Sequence, residues 1–429
     1  MHLHESSIEI ETLAGPLDTN VSVPGSKSLT NRSLPVAALA EGESKIDGVL
    51  FSDDTAAMIE ALRVLGIDLE VDATGDRVRV HGCAGRIPSA AADVDARASG
   101  TVGRFLPAIA ALGRGEFTID GTARLRERPM SPLIAALGRL GASIDSIGTR
   151  PAALPLKMTA NGLAGGRAAM PGTESSQFIS ALLIAAPYMH DGLRLDIDGD
   201  LVSRPYVDMT VEVMKAFDVN VERDGYRRFV VAPGQKYTAR DYAVEPDASA
   251  ASYFFAAAAI CGGRATVDGL GSSSLQGDLH FVDLLESMGA RVVRDEGHTT
   301  VIGTGSLHGI EADMADISDT VPTLAVTAAF CDSPTRISGV GFIRAKESDR
   351  IGDVVRELQR LGVGAVEEDD GMLITPGQMH PARIKTYEDH RIAMAFSLAG
   401  LQIAGIEIAD PGCVAKTFPK FFDVLDSLR

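Results

Sequence analysis

The sequence predicts a mixed α/β (α+β) protein of two lobes, with three copies of one helix-and-strand unit in each lobe. Three observations carry this prediction: the length of the chain and two sequence landmarks that recur in step. The chain has 429 residues, more than one hydrophobic core usually holds, so two domains of about 200 residues are expected.

The first landmark is an amphipathic helix that ends in a turn residue and leads into a strand. It occurs in ALRVLGIDLEV, ALGRLGASIDS, VMKAFDVNVE, LLESMGARVV and ELQRLGVGAV. A glycine or an aspartate after a helix favours a left-handed C-terminal cap. The turn positions, 71 to 77 residues apart, are Gly66, Gly141, Asp218, Gly289 and Gly362. The final VLDSLR matches the start of a sixth copy that stops at the helix.

The second landmark is a short strand that ends in glycine. It occurs in VRVHG, LKMTANG, FVVAPG, TVIGTG and MLITPG. These glycines, 71 to 80 residues apart, are Gly82, Gly162, Gly234, Gly305 and Gly377. Such a period is too long for a solenoid repeat. It indicates a subdomain of helices and strands in six copies, three per lobe.

Two segments are candidates for the seams between the lobes: the Val23-Pro24-Gly25 turn and the stretch near Tyr242-Ala243-Val244. If the chain crosses at both, the N-terminal lobe is 24–244, and the C-terminal lobe is 245–429 together with 1–23. Two crossings form a natural hinge, so we expect the lobes to close on a bound ligand.

Composition excludes several classes of protein. The net charge of −18 argues against a nucleic-acid or anionic-membrane partner, because proteins that bind either usually carry an excess of basic residues. The cysteines at 83, 261, 331 and 413 form no CxxC pair, so neither disulfides nor a zinc site are expected. The N-terminus lacks a basic region followed by an apolar run, so no signal peptide is expected. We expect a cytoplasmic monomer that acts on small molecules.

The segment PGSKSLTNRSLPVAALAEG (24–42) has the composition of an anion site at a helix start. Ser26 can cap the helix, and Lys27 and Arg32 lie in its first turns. Free amide N–H groups and the helix macrodipole both favour an anion there. The alternative is a solvated cap with surface cations.

Two more segments of the same lobe repeat this idea. Ser99-Gly100-Thr101 begins a helix with Arg104 one turn later, and Gly100 would let a ligand approach the backbone closely. Ser175-Ser176-Gln177 begins a third, although an ordinary N-cap explains those serines as well. Further polar candidates from loops are Arg128, Ser203 and Tyr206.

The second lobe has its own polar helix starts. The candidates there are Asp319, Lys346, Glu347, Asp349, Arg350, Asp389, His390, Arg391 and Lys416. A charge cluster at one helix start usually faces solvent. That explanation does not account for charge clusters at the same position in several repeats.

Equivalent helices of a repeat fold point the same way, so their N-termini should gather on one face of each lobe. Two such faces would form a strongly positive cleft inside an acidic protein. The cations expected there are Lys27, Arg32, Arg104, Arg128, Lys346, Arg350, Arg391 and Lys416. No HEXXH motif or carboxylate triplet is present, and His390 stands alone beside Asp389, so no metal and no other cofactor are expected.

Nine segments occur in an order that resembles one family. They are SKSLTNR, SGTVGR, ERP, SSQF, SRPY, DASAASYF, KESDRI, DHRIAM and AKTFP. Together they resemble the EPSP synthases, the 3-phosphoshikimate 1-carboxyvinyltransferases of the shikimate pathway, from about residue 22 to the end. The resemblance implies a two-lobed inside-out α/β barrel of the enolpyruvyl transferase type, with six βαβαββ repeats.

The resemblance also implies an activity and a site. The family joins the 5-hydroxyl of shikimate 3-phosphate to phosphoenolpyruvate by addition and elimination, without a metal, and glyphosate mimics phosphoenolpyruvate. Shikimate 3-phosphate is then expected to contact Lys27, Ser28, Arg32, Ser175, Ser176, Gln177, Ser203, Tyr206, Asp319 and Lys346. Phosphoenolpyruvate is expected to contact Lys27, Gly100, Thr101, Arg128, Gln177, Glu347, Arg350, Arg391 and Lys416. Lys27, Asp319 and Glu347 are the expected acids and bases.

Two positions depart from the family pattern. Ala98 stands where an Asn is usual near phosphoenolpyruvate, and Phe342 stands where an Asn often contacts the shikimate phosphate. Arg344 or a water molecule is a candidate to replace the second amide. These departures concern affinity and glyphosate sensitivity and leave the reaction class as it is.

Two other functions are open at this stage. One is the sister transferase that acts on UDP-N-acetylglucosamine, whose loop carries a Cys shortly before an Arg-Pro. Here Leu125-Arg126-Glu127 precede Arg128-Pro129, with no Cys. The other is a non-catalytic anion-binding module, which would tolerate loss of Asp319 and Glu347.

Overall fold

A computed structural model describes residues 7–429, in which short strands form six small sheets with helices between them. Contacts divide the chain into two units. The discontinuous unit is Met1–Pro24 with Pro246–Arg429, and the continuous unit is Gly25–Glu245. The hinged movement of two lobes stays a prediction.

Strands and helices alternate along the described chain. The strands are β1 (Ser7–Ile10), β2 (Leu17–Asn20), β3 (Glu41–Asp47), β4 (Asp68–Asp72), β5 (Arg77–Cys83), β6 (Ala91–Asp95), β7 (Arg114–Asp120), β8 (Ser143–Ser146), β9 (Leu156–Asn161), β10 (Gly166–Pro171), β11 (Leu193–Asp198), β12 (Glu222–Asp224), β13 (Arg228–Val231), β14 (Asp241–Ala243), β15 (Gly263–Asp268), β16 (Arg291–Arg294), β17 (His298–Gly303), β18 (Glu311–Asp313), β19 (Thr335–Ser338), β20 (Gly364–Glu368), β21 (Gly371–Thr375), β22 (Arg383–Ile384) and β23 (Ile406–Ala409).

The helices are α1 (Lys27–Leu39), α2 (Asp53–Val64), α3 (Gly100–Ala110), α4 (Ala123–Arg126), α5 (Ser131–Arg139), α6 (Ser176–Ala185), α7 (Arg204–Ala216), α8 (Ala248–Cys261), α9 (Phe281–Ser287), α10 (Val321–Ala328), α11 (Gly352–Arg360), α12 (His390–Gly400) and α13 (Phe421–Asp426). Short 3-10 turns cover Ala186–Tyr188, Gly277–His280, Ser318–Thr320, Gly341–Ala345 and Pro411–Lys416.

One strand arrangement recurs in five sheets and is shortened in the sixth. In β6-β7-β9-β8 the first two strands are parallel, with α3 between them in the chain, and the other pairings are antiparallel. The sheets β10-β11-β13-β12 and β18-β19-β21-β20 are built in the same way. In β14-β3-β5-β4 and β2-β15-β17-β16 the leading strand comes from a distant part of the chain. The sixth sheet is β22-β23-β1, in which the N-terminal strand replaces the last two. The six-repeat α/β prediction is confirmed.

The predicted turn residues have the backbone conformation that their sequence indicates. All five have a positive φ, from 68° at Asp218 to 109° at Gly289. This left-handed conformation lets the chain leave the helix and enter the next strand. The turn is a local requirement, and it therefore repeats with the sequence.

The helix that follows the leading strand of each repeat is largely buried. We call α1, α3, α6, α8, α10 and α12 the leading helices. Every residue of α3, α10 and α12 is buried, as expected for helices that are apolar all round. Strands such as β9 alternate strictly between buried and exposed side chains. The helices therefore lie inside each unit, and the sheets have one face in the core.

Candidate active site

Serine residues cap the three leading helices of the continuous unit. Ser26, Ser99 and Ser175 each accept a hydrogen bond from a backbone N–H two or three residues later, at 3.3 to 3.4 Å. The cap gives a partner to one of the backbone N–H groups at the helix start that have none within the helix. The first turns of these helices contain predicted site residues, namely Lys27, Ser28, Gly100, Thr101, Ser176 and Gln177.

Arg32 joins α1 to α7. Its Nε donates to Thr210 Oγ1 at 2.8 Å, and its two terminal nitrogens donate to the carbonyls of Ser28 and Tyr206 at 2.8 and 2.9 Å. Burial lowers the pKa of Arg32 to about 10, so the guanidinium remains charged at neutral pH. The structure thus gathers three residues predicted for shikimate 3-phosphate: Ser28, Arg32 and Tyr206.

Tyr206 lies in the first turn of α7, just after an unusual turn. Ser203, which precedes this helix, has φ 56° and ψ 42° and is left-handed. It is also buried. An ordered left-handed serine is uncommon, and here it starts the helix that Arg32 holds.

Two arginines lie directly over Gly100. A Cβ atom built on this glycine would lie 2.8 Å from Arg128 Nη1 and 2.9 Å from Arg104 Nη1. Any side chain at position 100 would therefore displace a guanidinium. Arg128, which the sequence placed in a loop, is buried. The close approach explains why glycine begins α3.

Gln177 connects α6 to α3 beside these arginines. Its Oε1 accepts from Arg104 Nη1 at 2.6 Å, and its Nε2 donates to Thr101 Oγ1 at 3.3 Å. The Arg104 guanidinium also lies 5.4 Å from the centre of the Phe178 ring. Gly100, Thr101, Arg128 and Gln177, all predicted for phosphoenolpyruvate, are thus neighbours in one cationic corner.

Lys27 has a carboxylate partner that the sequence analysis missed. Its Nζ lies 3.7 Å from Asp54 Oδ2, and the Asp54 side chain is buried. Asp54 stands in the first turn of α2, beside Asp53. The paired acids at this helix start were the available signal, but two acids in a first turn are common and say nothing of a distant lysine.

Arg350 is the centre of a second cluster, in the discontinuous unit. It donates to Asp389 at 2.8 Å, to Glu347 at 2.9 Å and to Asp319 at 3.1 Å. Desolvation lowers the pKa of Arg350, but the charges of Asp389, Glu347 and Asp319 outweigh it and raise that pKa above its ordinary value. Arg350 is therefore permanently charged.

Two more cations complete this cluster. Arg391 Nη2 donates to Asp319 Oδ2 at 2.6 Å, and Lys416 Nζ lies 3.8 Å from Glu347 Oε1. Asp389 also caps α12 by accepting from the Arg391 N–H at 2.9 Å. The five predicted residues Asp319, Glu347, Arg350, Arg391 and Lys416 are therefore in one place.

Every cation of this Arg350 cluster lies beside a carboxylate. The cations are Arg350, Arg391 and Lys416, and the carboxylates are Asp319, Glu347 and Asp389. The positive surplus expected from the cations alone is therefore wrong for this cluster, because carboxylates lie beside all three. An incoming anion would compete with the carboxylates for the same N–H donors.

Arg344, a candidate to replace the missing amide at position 342, lies close to Lys346 in the chain. Lys346 Nζ lies 5.9 Å from the centre of the Phe342 ring. Arg344 donates to Asp349 and Glu367, each at 2.9 Å. Because carboxylates hold its guanidinium, the structure argues against Arg344 as the replacement for an amide at position 342.

Comparison with known proteins decides the family. The sequence model described as EPSP synthase (3-phosphoshikimate 1-carboxyvinyltransferase) matches residues 12–425. The chain is 46% identical over 416 residues to the 3-phosphoshikimate 1-carboxyvinyltransferase of Nostoc punctiforme, covering 97% of both chains. It is 42% identical to that of Methanoculleus marisnigri, covering 96% and 97%.

The chain belongs to the EPSP synthase family. It is therefore a transferase of the enolpyruvyl type, as its motifs predicted. An EPSP synthase structure from Acinetobacter baumannii matches with a TM-score of 0.82 and 27% identity over 98% of this chain and 97% of that chain. The enolpyruvyl transferase NikO from Streptomyces tendae, at 21% identity and a TM-score of 0.76 over 98% and 97%, shares the fold.

Two absences hold for residues 7–429 of this EPSP synthase family member. No helix there is long and apolar enough to cross a membrane. No group of three or more His, Cys, Asp or Glu in the same range could hold a metal ion. The expected absence of a metal stays a prediction.

Some side chains that hold the predicted site residues of this EPSP synthase family member were not predicted themselves. Asp54, Thr210 and Ser348 were not among the predicted site residues, and Asp389 was a candidate without an assigned role. Ser348 Oγ donates to Asp389 Oδ2 at 3.0 Å. Each of these side chains holds a predicted residue in place, and each pairing joins segments that are distant in the chain.

Proposed function

We propose that this chain transfers the enolpyruvyl group of phosphoenolpyruvate to the 5-hydroxyl of shikimate 3-phosphate. The products are 5-enolpyruvylshikimate 3-phosphate and inorganic phosphate. One observation carries the proposal: the Arg350 cluster brings together five residues predicted for this chemistry from separate segments of the chain. Membership of the EPSP synthase family supports the choice of reaction.

The chemistry requires a proton to move twice. The 5-hydroxyl oxygen bonds to C2 of phosphoenolpyruvate and loses its proton, while C3 gains one. The resulting tetrahedral ketal then loses phosphate from C2 and a proton from C3. Positioned acids and bases are needed for both steps, and we assign them to Lys27, Asp319 and Glu347.

The carboxylates are suited to this role by their contacts. Asp319 accepts from Arg350 and Arg391 through different oxygens. A carboxylate has about four acceptor positions, so Asp319 can also accept from a substrate hydroxyl. Glu347 Oε2 accepts from Arg350 at 2.9 Å and its Oε1 lies 3.8 Å from Lys416 Nζ, so its carboxylate is held between two cations.

Fixed cations would stabilise the anionic substrates and the charge that develops between them. Guanidinium groups bind carboxylate and phosphate with paired N–H donors. We assign Arg128, Arg350, Arg391 and Lys416 to phosphoenolpyruvate, with Gly100, Thr101, Gln177, Lys27 and Glu347. Glyphosate would compete for the same groups.

The other substrate has its own set of proposed contacts. We assign to shikimate 3-phosphate the residues Lys27, Ser28, Arg32, Ser175, Ser176, Gln177, Ser203, Tyr206, Asp319 and Lys346. Hydroxyl and amide groups suit its ring hydroxyls, and the buried charge of Arg32 suits an anion nearby. A location in the cytoplasm and a monomeric state are proposed as well, and the four unpaired cysteines suit a reducing compartment.

Phosphate release tests the reaction directly. The purified protein is incubated with shikimate 3-phosphate and phosphoenolpyruvate, and with each alone. We expect phosphate to appear only with both, in step with a product that carries both carbon skeletons by mass spectrometry. A parallel incubation with UDP-N-acetylglucosamine tests the sister reaction. If a folded preparation releases no phosphate with shikimate 3-phosphate and phosphoenolpyruvate together, the proposal is refuted.

A further inference from the structure

The segment that leads into α12 has an unfavourable backbone. Tyr387 and Glu388 have φ values of 55° and 57° and are both left-handed. Side chains other than glycine rarely adopt this conformation, and two in succession are less favourable still. Surrounding contacts must therefore hold this turn.

Glu357 on α11 provides some of the contacts that hold this turn. Its side chain has no exposed surface. Its Oε1 accepts from the Tyr387 hydroxyl at 2.7 Å, and its Oε2 accepts from the Lys385 N–H at 3.0 Å and from Arg360 Nε at 2.9 Å. A buried carboxylate is costly unless it is hydrogen-bonded in this way.

Two cations hold the ring of Tyr387. Lys385 Nζ lies 4.8 Å from the ring centre, and the Arg356 guanidinium lies 5.6 Å from it. Arg356 Nη1 also lies 3.3 Å from the Tyr387 hydroxyl. We call Glu357, Tyr387, Lys385 and Arg356 the Tyr387 clasp.

The turn held by the clasp ends at two residues of the Arg350 cluster. The Asp389 N–H donates to the Thr386 carbonyl at 2.9 Å across the turn. Asp389 then binds Arg350 through both carboxylate oxygens and caps the helix that carries Arg391. A change in the turn would therefore move the groups that hold both arginines.

We propose that Glu357 and Tyr387 are positioning residues for phosphoenolpyruvate. They fix the left-handed turn that places Asp389 and Arg391, and through Asp389 they place Arg350. This inference rests on the proposed function, because Arg350 and Arg391 are its phosphoenolpyruvate ligands. A purely structural clasp would stabilise the unit without any preference between the two substrates.

The test compares the two substrates in Tyr387→Phe and Glu357→Gln, beside the wild-type protein. Tyr387→Phe keeps the ring and removes only the hydroxyl. We expect kcat/KM for phosphoenolpyruvate to fall about tenfold, since small displacements of binding groups reduce rates strongly. The dissociation constant of shikimate 3-phosphate, measured by calorimetry, should change less than about twofold in both variants.

Tyr226→Phe is the matched control. The Tyr226 hydroxyl donates to Asp208 at 2.6 Å, and Arg204 and Arg223 lie 5.5 and 5.7 Å from its ring. This tyrosine has the same kind of partners but belongs to the continuous unit. We expect this variant to lose thermal stability while the phosphoenolpyruvate KM stays as in the wild type.

A rescue variant separates the turn from the hydroxyl itself. Asparagine tolerates the left-handed conformation better than glutamate, and Glu388 is exposed. Adding Glu388→Asn to Tyr387→Phe should restore at least half of the lost phosphoenolpyruvate efficiency. An active wild type with unchanged phosphoenolpyruvate kinetics in both clasp variants would overturn the inference. An inactive wild type would instead refute the proposed function on which it rests.

Discussion

Arg350 and Asp389 form a buried ion pair in which Nε lies 2.8 Å from Oδ2, although 39 positions separate the two residues. Asp389 has no exposed surface, and Arg350 is 1% exposed. The same carboxylate accepts from Ser348 and from the Arg391 N–H. Asp389 is therefore the junction between the helix cap of α12 and the cations of the Arg350 cluster.

Removing the charge of Asp389 should destabilise the protein strongly. Asp389→Asn leaves the Arg350 charge buried with one partner fewer, and such a loss costs about 3–5 kcal/mol. Urea unfolding followed by circular dichroism measures the change. As a control, Arg336→Ala breaks an exposed pair with Glu368 and should cost less than about 1 kcal/mol. Equal effects of the two changes would contradict the prediction.

A methyl group at position 100 should weaken phosphoenolpyruvate binding without unfolding the protein. In Gly100→Ala the atoms nearest to the new Cβ are the ends of the Arg128 and Arg104 side chains, which can move. We expect the phosphoenolpyruvate KM to rise about tenfold, a displacement effect, and Tm to change little. Steady-state kinetics and a thermal melt measure both.

The matched glycine control is Gly138→Ala in α5. No atom lies within 4 Å of a Cβ built there, and alanine favours the helix by about 0.5–1 kcal/mol. We expect a small gain in stability and unchanged kinetics. A wild-type KM in Gly100→Ala would show that Gly100 and Arg128 do not hold this substrate.

Loss of either proposed cation of the continuous unit should lower turnover. Lys27→Ala removes a proposed proton carrier, and groups of this kind contribute about 10²- to 10⁴-fold. Arg128→Ala removes a proposed phosphoenolpyruvate ligand. The phosphate-release assay measures both, with Lys45→Ala, a surface lysine paired with Asp47, as the control. Near wild-type rates in both site variants would rule out the proposed site.

The cysteine thiols should react slowly while the protein is folded. Burial raises the pKa of Cys331 and of Cys413 to about 12 and raises the pKa of Cys83 and Cys261 as well. A higher pKa leaves less thiolate at pH 8, for Cys331 and Cys413 roughly a thousandfold less than in a thiol of ordinary pKa.

Labelling with a disulfide reagent measures this difference. We expect slow labelling of the native protein that speeds up as pH rises, and rapid labelling of all four thiols in guanidinium chloride. Fast labelling of Cys331 or Cys413 at pH 8 in the native state would contradict the raised pKa of these thiols.

The repeats and their turns were predictable because they depend on neighbours in the chain. Gly66 and Asp218 have the left-handed conformation that their place after a helix indicates. The serine caps at 26, 99 and 175 follow from the preference of helix N-termini for hydroxyl side chains. Each of these features involves fewer than about ten consecutive residues, so local propensity and pattern are sufficient.

The partners of the charged side chains were not predictable in the same way. Lys27 with Asp54, Arg350 with Asp389, and Glu357 with Tyr387 are pairs from different helices and loops. Nothing in the local sequence of one member names the other, because many acidic residues stand at helix starts in this chain. The folded path of the backbone selects one of them.

The sequence by itself therefore determined the class of the fold, the six repeats and the kinds of side chain at the helix starts. Only the tertiary structure decided which carboxylate neutralises which cation, how closely Arg104 and Arg128 approach Gly100, and how the Tyr387 turn is held. The physical reason is the separation along the chain between the residues that interact. Helices, caps and turns are set by bonds within one segment, whereas the ion pairs form only after buried helices bring distant segments within a few ångströms.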